Sequence, residues 1–334
     1  MSGLSRRQLL QGAGVVGLAL VAGCGRWPGQ AQPTKPVRIG FLSPGTRASR
    51  AVHLDGFLVG LSEHGYVDGR DFMIEYGFSQ GDDRRLPALA MELVQLPVDV
   101  LVASATPATV AAKQATSTIP IVMGGSVEPV RTGLVASLAR PGGNITGMSI
   151  LNSNLMTKNL ELLKDTLPTL QRLAILENPS NPVAATQLEE LDWAAEVFRV
   201  QVQRLEVSTP EDFEPALQAA VRAQAEAIMV PSDALYTNSR ARLVAAIAKY
   251  QLPAIHAYRE LPEAGGLMSY GPSLRETYRQ AARYVDRIIK GTKPADLPVE
   301  QSSRFEFVIN LQTARALGLT IPERVLLQAT EVIE

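Results

Sequence analysis

Hydroxyl, amide and carboxylate side chains follow several short apolar runs of the sequence, where together they could hold a small charged solute. Hydroxyls at Ser104, Thr106 and Ser126 could bind a carboxylate through hydrogen bonds without a buried cation. Asp233, in the second half of the chain, could meet an ammonium group, and an α-amino acid carries both groups. The full set of candidate ligand-binding residues is Ser43, Ser104, Ala105, Thr106, Gly125, Ser126, Asn178, Asn181, Asp233, Tyr258 and Tyr270.

The same residue types also have a purely structural interpretation. Ser, Thr and Asp are favoured at helix N-termini, so Ser104, Thr106 and Asp233 could simply cap helices. Tyr258 and Tyr270 could pack at a hinge instead of facing a solute. If Asp233 does bind the solute, replacing it with Ala is expected to weaken binding more than about tenfold and to change the melting temperature little.

The sequence offers little for catalysis or for a metal. Its histidines, His53, His64 and His256, are far apart, and no pair has the short spacing of a metal site. No P-loop and no Gly-x-Ser-x-Gly pattern occurs. His53 and His64 fall on a predicted surface helix, where solvation is the expected role. We therefore predict a protein that is not an enzyme and that holds no metal or cofactor.

Alternating strands and helices must position the candidate residues. From Val37 onward, apolar β-rich runs alternate with segments of helical period, and the last helix of this series is predicted at residues 128–138. A second series with the same alternation starts at Asn154. Strands that alternate with helices form parallel sheets, and ligands bind beyond the carboxyl ends of such strands.

Glycine- and proline-rich extended stretches separate the two series, at residues 139–150, 265–271 and 293–301. These stretches predict that the chain passes three times between two separate lobes. The predicted fold is α/β, with two doubly wound, Rossmann-like lobes of parallel sheets joined by a three-strand hinge. Lobe 1 is assigned residues 37–147 and 272–300, and lobe 2 residues 148–271 and 301–334. One continuous sheet, with an ordinary surface loop at residues 139–149, is the alternative.

The N-terminal stretch is predicted to lie outside the fold. Arg6 and Arg7 precede the apolar run 12–22, which is shorter than the ~20 residues of a membrane span and typical of an export signal. The paired arginines resemble a twin-arginine signal. Residues 21–24 resemble a lipobox. We therefore predict a signal peptide at residues 1–23, lipidation of Cys24, the only cysteine, and a flexible tether at residues 24–36.

Charge and hydropathy argue against some partners. The formal net charge is −1 at pH 7 and the sequence has no basic stripe, so nucleic acid is not expected as a partner. No second long apolar run occurs, and the predicted lipid on Cys24 is the only expected membrane attachment. We expect a monomer.

Several motifs resemble those of a known family. They are residues 138–147, 265–271 and 294–300, together with residues 308–310 and the following Thr313, Ala314 and Gly318. Across residues 37–334 the chain resembles the extracytoplasmic solute-binding proteins of ABC transporters, and among them the substrate-binding family related to tryptophan-binding lipoproteins. The resemblance implies a type I periplasmic-binding-protein fold that encloses a small molecule between its lobes.

The resemblance also implies a function and partners. The protein would be an exported, lipid-anchored receptor, periplasmic or at the cell surface, that delivers an amino acid or related compound to ABC permease and ATPase subunits. Residues 105–108 and 231–233 match the family. Ala234 and Leu274 depart from its frequent residues, so they do not single out an aromatic amino acid. A sensor of the same fold that feeds a signalling partner is the alternative, followed by a hydrolase or isomerase.

Overall fold

Strands and helices alternate along most of the chain, and the computed structural model describes residues 35–150 and 154–334. The strands are β1 (Val37–Ser43), β2 (Phe72–Phe78), β3 (Val100–Ala103), β4 (Ile121–Val127), β5 (Ile145–Ile150), β6 (Arg172–Glu177), β7 (Gln201–Glu206), β8 (Ala227–Val230), β9 (Ala254–His256), β10 (Met268–Pro272), β11 (Glu300–Gln301), β12 (Phe305–Asn310) and β13 (Glu331–Ile333). The helices are α1 (Ala51–Glu63), α2 (Leu86–Gln95), α3 (Ala105–Ala115), α4 (Leu155–Thr166), α5 (Ala184–Phe198), α6 (Phe213–Arg222), α7 (Ala234–Asn238), α8 (Arg240–Lys249), α9 (Glu260–Glu263), α10 (Leu274–Ile289), α11 (Leu311–Ala316) and α12 (Glu323–Leu326).

The predicted N-terminal features fall outside this part of the chain. The export signal, the lipidation site Cys24 and most of the tether lie outside the described residues. Within residues 35–150 and 154–334, no helix is long and apolar enough to cross a membrane.

Two separate sheets confirm the predicted pair of α/β lobes. The first has the strand order β11-β5-β4-β3-β1-β2, and every pair in it is parallel. The second has the order β13-β12-β10-β9-β8-β6-β7. The single-sheet alternative is therefore wrong. One departure from the predicted parallel sheets is that β12 runs antiparallel to β10, because β10 leads out of the second lobe and β12 leads back into it.

Each lobe has hydrophobic layers on both faces of its sheet, because successive side chains of a strand point to opposite faces. In β1, Phe41 packs in the layer formed with α1 and α10, whereas Leu42 packs in the opposite layer with α2 and α3. The second sheet is covered in the same way by two layers of buried side chains. These layers fix the strand ends that carry the site.

Three connections join the lobes, and they come together at Ser302. The first leads from β5 to α4, the second from β10 to α10 and the third from β11 to β12. On the third, the Ser302 N–H donates to the carbonyl oxygen of Ser149 at 2.9 Å. The Ser302 hydroxyl lies 2.9 Å from that of Thr277 in the first turns of α10. The three connections are therefore linked to one another by hydrogen bonds.

The first connection starts later than the predicted boundary at residue 147. β5 stays paired with β4 as far as Ile150, so residue 147 falls inside a strand of the first sheet. The residue-by-residue division of the chain into lobes stays a prediction.

The helix predicted at residues 128–138 is wrong, since the chain makes a series of turns there. Glu128 has a positive φ of 48° and is followed by Pro129, and Gly133 has a φ of 67°. Left-handed backbone and a proline ring both interrupt helical hydrogen bonding.

Close packing of α1 on α10 depends on two glycines. A Cβ atom on Gly56 would overlap the carbonyl oxygen of Arg275, and one on Gly60 would overlap that of Arg279. The absence of side chains at these positions lets the two helices approach closely. Their N-terminal turns consequently reach the same edge of the first sheet.

Candidate functional site

A cavity of about 670 Å³ lies between the two lobes at the carboxyl ends of their parallel strands. Its walls include the loops after β2 and β3 in the first lobe and after β6, β7, β8 and β9 in the second. This volume is typical of sites for small molecules. The predicted residues that line it are Ala105, Thr106, Gly125, Asn178, Asn181, Asp233 and Tyr258.

Asp233 follows β8 and is buried in the cavity wall. Its Oδ1 accepts a hydrogen bond from the Leu235 N–H at 2.6 Å, so Asp233 caps α7, as its structural interpretation proposed. Its Oδ2 accepts from the side-chain amides of Asn178 at 3.0 Å and Asn181 at 2.7 Å. Burial raises the pKa of the Asp233 carboxyl, against the lowering effect of these donors. Asp233 therefore combines a capping role with a place at the cavity.

The hydroxyls expected to bind a carboxylate already have protein partners. The Ser104 hydroxyl lies 2.5 Å from that of Tyr278, and Thr106 Oγ1 accepts from the Val127 N–H at 2.9 Å. The Ser126 hydroxyl is 2.8 Å from Thr109 Oγ1. Ser104 and Ser126 are not among the residues that line the cavity. Their hydroxyls tie the strand ends of the first lobe to its helices, which is a structural role.

Two further candidates do not line the cavity. Ser43 is fully buried, and its hydroxyl donates to the carbonyl oxygen of Pro44 at 3.2 Å. Tyr270 on β10 stacks on Phe305 with ring centroids 5.7 Å apart, because the antiparallel pairing of β10 with β12 brings the two rings together. The packing interpretation therefore describes Tyr270. Tyr258 does line the cavity.

Arg50 is a buried cation at the cavity, which the sequence interpretation did not predict. It is only 3% exposed, at the start of α1. Its Nε donates to the Pro44 carbonyl oxygen at 3.2 Å, and Nη1 lies 3.4 Å from His53 Nδ1. Its Nη2 has no hydrogen-bond partner among the described residues. Burial lowers the pKa of the guanidinium. Arg50 consequently has a free donor for an anionic group.

His53 is buried against Tyr278, so the expectation of a solvated histidine is wrong. Its ring stacks on that of Tyr278 at 4.7 Å between centroids and an interplanar angle of 5°. Burial, and then the nearby charge of Arg50, lower the pKa of His53 well below its usual value. The ring is therefore neutral at pH 7. The close approach of α1 to α10 through Gly56 and Gly60 produces this stack.

The helical spacing of the sequence contained a signal that Arg50 and His53 face the interior. His53, Phe57 and Leu61 follow Arg50 at positions i+3, i+7 and i+11, which place all four on one helix face. Phe57 and Leu61 are fully buried in the core of the first lobe. The apolar residues of this face therefore predict that Arg50 and His53 point into the protein.

Apolar side chains form another part of the cavity wall. Val127, Ile150 and Leu274 lie there, next to the stacked rings of His53 and Tyr278. Asp83, from the first lobe, adds a carboxyl whose pKa is raised by burial. In the described ranges, no cluster of His, Cys, Asp or Glu could hold a metal ion. The cavity thus offers charged groups from both lobes and an apolar surface between them.

Two α/β lobes that enclose such a cavity at their strand ends define a protein that binds a small solute. A family model described as ABC transporter substrate binding protein matches residues 41–333, and the chain belongs to this family. The resemblance found in the sequence is thereby confirmed.

Individual relatives agree with the family. The chain is 27% identical over 315 residues to a tyrosine-binding protein of Clostridioides difficile (strain R20291), covering 92% of this chain and 90% of the relative. A conserved domain protein from Vibrio cholerae superposes with a TM-score of 0.84 at 29% identity, covering 89% of this chain and 100% of that one. An ABC domain from Streptococcus pneumonia in complex with L-Trp gives a TM-score of 0.83 at 30% identity, with 90% and 100% covered. The expected type I periplasmic-binding-protein fold is confirmed.

Proposed function

We propose that the protein is an extracytoplasmic solute-binding lipoprotein of an ABC importer that closes on an amino acid or a related compound. The observation that carries this proposal is the pair of opposite charges across one cavity. Arg50 in the first lobe has a buried donor that no other described residue satisfies, and Asp233 in the second lobe is a buried carboxyl at the opposite wall. An α-amino acid has matching charges of both signs.

The solute carboxylate would bind Arg50, assisted by backbone amides at the start of α3. Unpaired N–H groups at a helix N-terminus favour an anion. Ala105, the first residue of α3, lines the cavity and has a positive φ of 64°. The solute ammonium would bind Asp233, and its side chain would lie against the stack of His53 and Tyr278. The relatives described as binding tyrosine and L-Trp support an amino acid as the class of solute.

The same proposal implies where this receptor is located and which subunits it works with. A lipid on Cys24 would hold the protein at the outer side of a membrane, where permease and ATPase subunits take up the released solute. Binding energy would favour the closed arrangement of the lobes, with no chemical change to the solute. We infer a monomer, because one chain supplies charged groups to both walls of the cavity.

Mass spectrometry of material released from the denatured protein would identify a bound solute. Calorimetric titration with L-tyrosine and L-tryptophan would then test the class directly. An α-amino acid in the released material, or saturable binding of either probe, is expected. Solute-free protein that binds neither these probes nor any other standard amino acid would contradict the proposal.

Arg50→Met tests the carboxylate anchor. Loss of a buried charge partner is expected to weaken solute binding by about thirtyfold or more. Arg84→Met is the matched control, since Arg84 also lines the cavity but its side chain is 91% exposed and pairs with Asp82 at 2.7 Å. Equal affinities of the Arg50→Met variant and the wild type would remove Arg50 from the site.

A further inference from the structure

The two lobes touch each other at the rim of the cavity through two short segments. The Ser49 hydroxyl of the first lobe donates to Asn238 Oδ1 of the second at 2.9 Å. Arg240 Nη1 donates to the Ser49 carbonyl oxygen at 3.3 Å. Asn238 ends α7 and lines the cavity. These side-chain contacts bridge the lobes separately from the three covalent connections.

Gly45 provides the space for this contact. Its φ is +78°, its N–H donates to Ser79 Oγ at 2.8 Å, and its carbonyl oxygen accepts from the Gln80 N–H at 2.8 Å. The turn that contains Gly45 is therefore hydrogen-bonded to the residues that follow β2. A Cβ atom built on Gly45 would overlap the side-chain amide of Asn238. The Asn238 amide can keep this position, with its Oδ1 2.9 Å from the Ser49 hydroxyl, only because residue 45 has no side chain.

Both segments that touch also carry the charged residues of the cavity. Ser49 precedes Arg50 directly, and α7 runs from its cap Asp233 to Asn238. A solute that bridges Arg50 and Asp233 pulls the same two segments toward each other. The contact at the rim and the solute in the cavity consequently favour the same arrangement of the lobes.

We propose that Gly45, Ser49 and Asn238 form a closure contact that sets how far the lobes close and so determines how tightly the solute is held. This inference rests on the proposed function, because it assigns positioning residues to the same site. Gly45 is the residue on which the contact depends: any side chain there displaces the Asn238 amide from Ser49 and removes a hydrogen bond that favours the closed arrangement of the lobes.

Gly45→Ala tests the contact, and Gly69→Ala is its control. Gly69 has nearly the same φ of +74°, but a Cβ atom on it would meet no atom of the described residues within 4 Å, so the control carries the same backbone strain without the overlap. With L-tyrosine as the probe, Gly45→Ala is expected to bind about tenfold more weakly or worse. Its radius of gyration in solution X-ray scattering should exceed that of the wild type. Gly69→Ala should match the wild type in both measurements.

A double-mutant cycle separates the overlap from other effects of the alanine. In the Asn238→Ala background the amide is absent, so adding Gly45→Ala should change affinity by less than about threefold. An equal loss of affinity in both backgrounds would overturn the closure contact.

Scattering without solute distinguishes the failure of this inference from failure of the proposed function. If the wild type binds neither L-tyrosine nor any other standard amino acid, the proposed solute class is in error, and a larger radius for solute-free Gly45→Ala still supports the contact. An unchanged radius for this variant, with or without binding, overturns it.

Discussion

Asp233 holds its place through three hydrogen bonds, and the amides that donate to it cannot turn around. The Oδ1 atoms of Asn178 and Asn181 accept from the N–H groups of Ser180 and Val183, both at 3.1 Å, which fixes the orientation of both side chains. Their NH₂ groups therefore point at Asp233 and require an acceptor there. A carboxylate satisfies these donors and the Leu235 N–H together.

Substitutions at Asp233 should therefore affect stability as well as binding. Asp233→Asn places an NH₂ group against at least one of these donors, and Asp233→Ala removes the acceptor that all three share. Each variant is expected to lower the free energy of unfolding by about 1–3 kcal/mol, measured by urea denaturation. This loss of stability replaces the expectation from the sequence that Asp233→Ala changes the melting temperature little. Asp82→Asn, at an exposed cap, should cost less than about 0.5 kcal/mol. Similar costs at both positions would contradict this account.

His256 makes stability depend on pH. It is 1% exposed, neither ring nitrogen has a partner within the described ranges, and desolvation lowers its pKa to about 3. Its ordinary pKa is near 6.5, so between pH 7 and 5 the unfolded chain binds a proton that the folded chain does not. This histidine should therefore cost about 2 kcal/mol of stability over that interval. The lowered pKa of His53 acts in the same direction.

Urea denaturation at pH 7 and pH 5 measures this contribution. His256→Gln removes the titrating group, so the variant should lose about 2 kcal/mol less than the wild type over that interval. The same loss in wild type and His256→Gln would show that His256 is protonated when folded.

Residue types alone located only part of the site. Asp233, Asn178 and Asn181 could be predicted because they directly follow strands, whose carboxyl ends form the cavity. Ser104 follows β3 and Ser126 lies near the end of β4, but their hydroxyls are hydrogen-bonded to Tyr278 and Thr109, and no local pattern shows which hydroxyl has a distant partner.

At the scale of elements, α1 and α10 form the wall that carries Arg50, His53 and Tyr278. Gly60→Ala would push these helices apart, since its Cβ atom would overlap the Arg279 carbonyl oxygen. Overpacking costs about 1–3 kcal/mol and is partly offset by about 1 kcal/mol of helix propensity. We expect a net loss of about 1 kcal/mol in urea denaturation. Gly143→Ala is the control, because a Cβ atom there would meet nothing within 4 Å, and equal stabilities of the two variants would contradict the close packing.

The alternation of strands and helices was predictable from hydrophobic period, and the two-sheet architecture followed from the glycine-rich crossings. The turns at residues 128–138 were missed, although Pro129 and Gly133, which interrupt a helix there, are visible in the sequence. The parallel strand β13 beside β12 was also missed, since its short segment Glu331–Ile333 gains its structure from the neighbouring strand.

At the scale of the whole molecule, two lobes enclose a cavity and three linked connections join them. Ser302 links the three connections through hydrogen bonds to Ser149 and Thr277. Linked in this way, the three connections are expected to bend together. Closure would then bring Arg50 and Asp233 to opposite ends of one solute while the contact of Ser49 with Asn238 forms at the rim.

A crystal structure of the protein with its released solute, or with L-tyrosine, tests this account most directly. The account predicts an unaltered solute between the lobes, with its carboxylate at Arg50 Nη2 and its amino group at the Asp233 carboxyl. A solute bound elsewhere on the protein, or bound in the cavity with neither charge in contact, would contradict it.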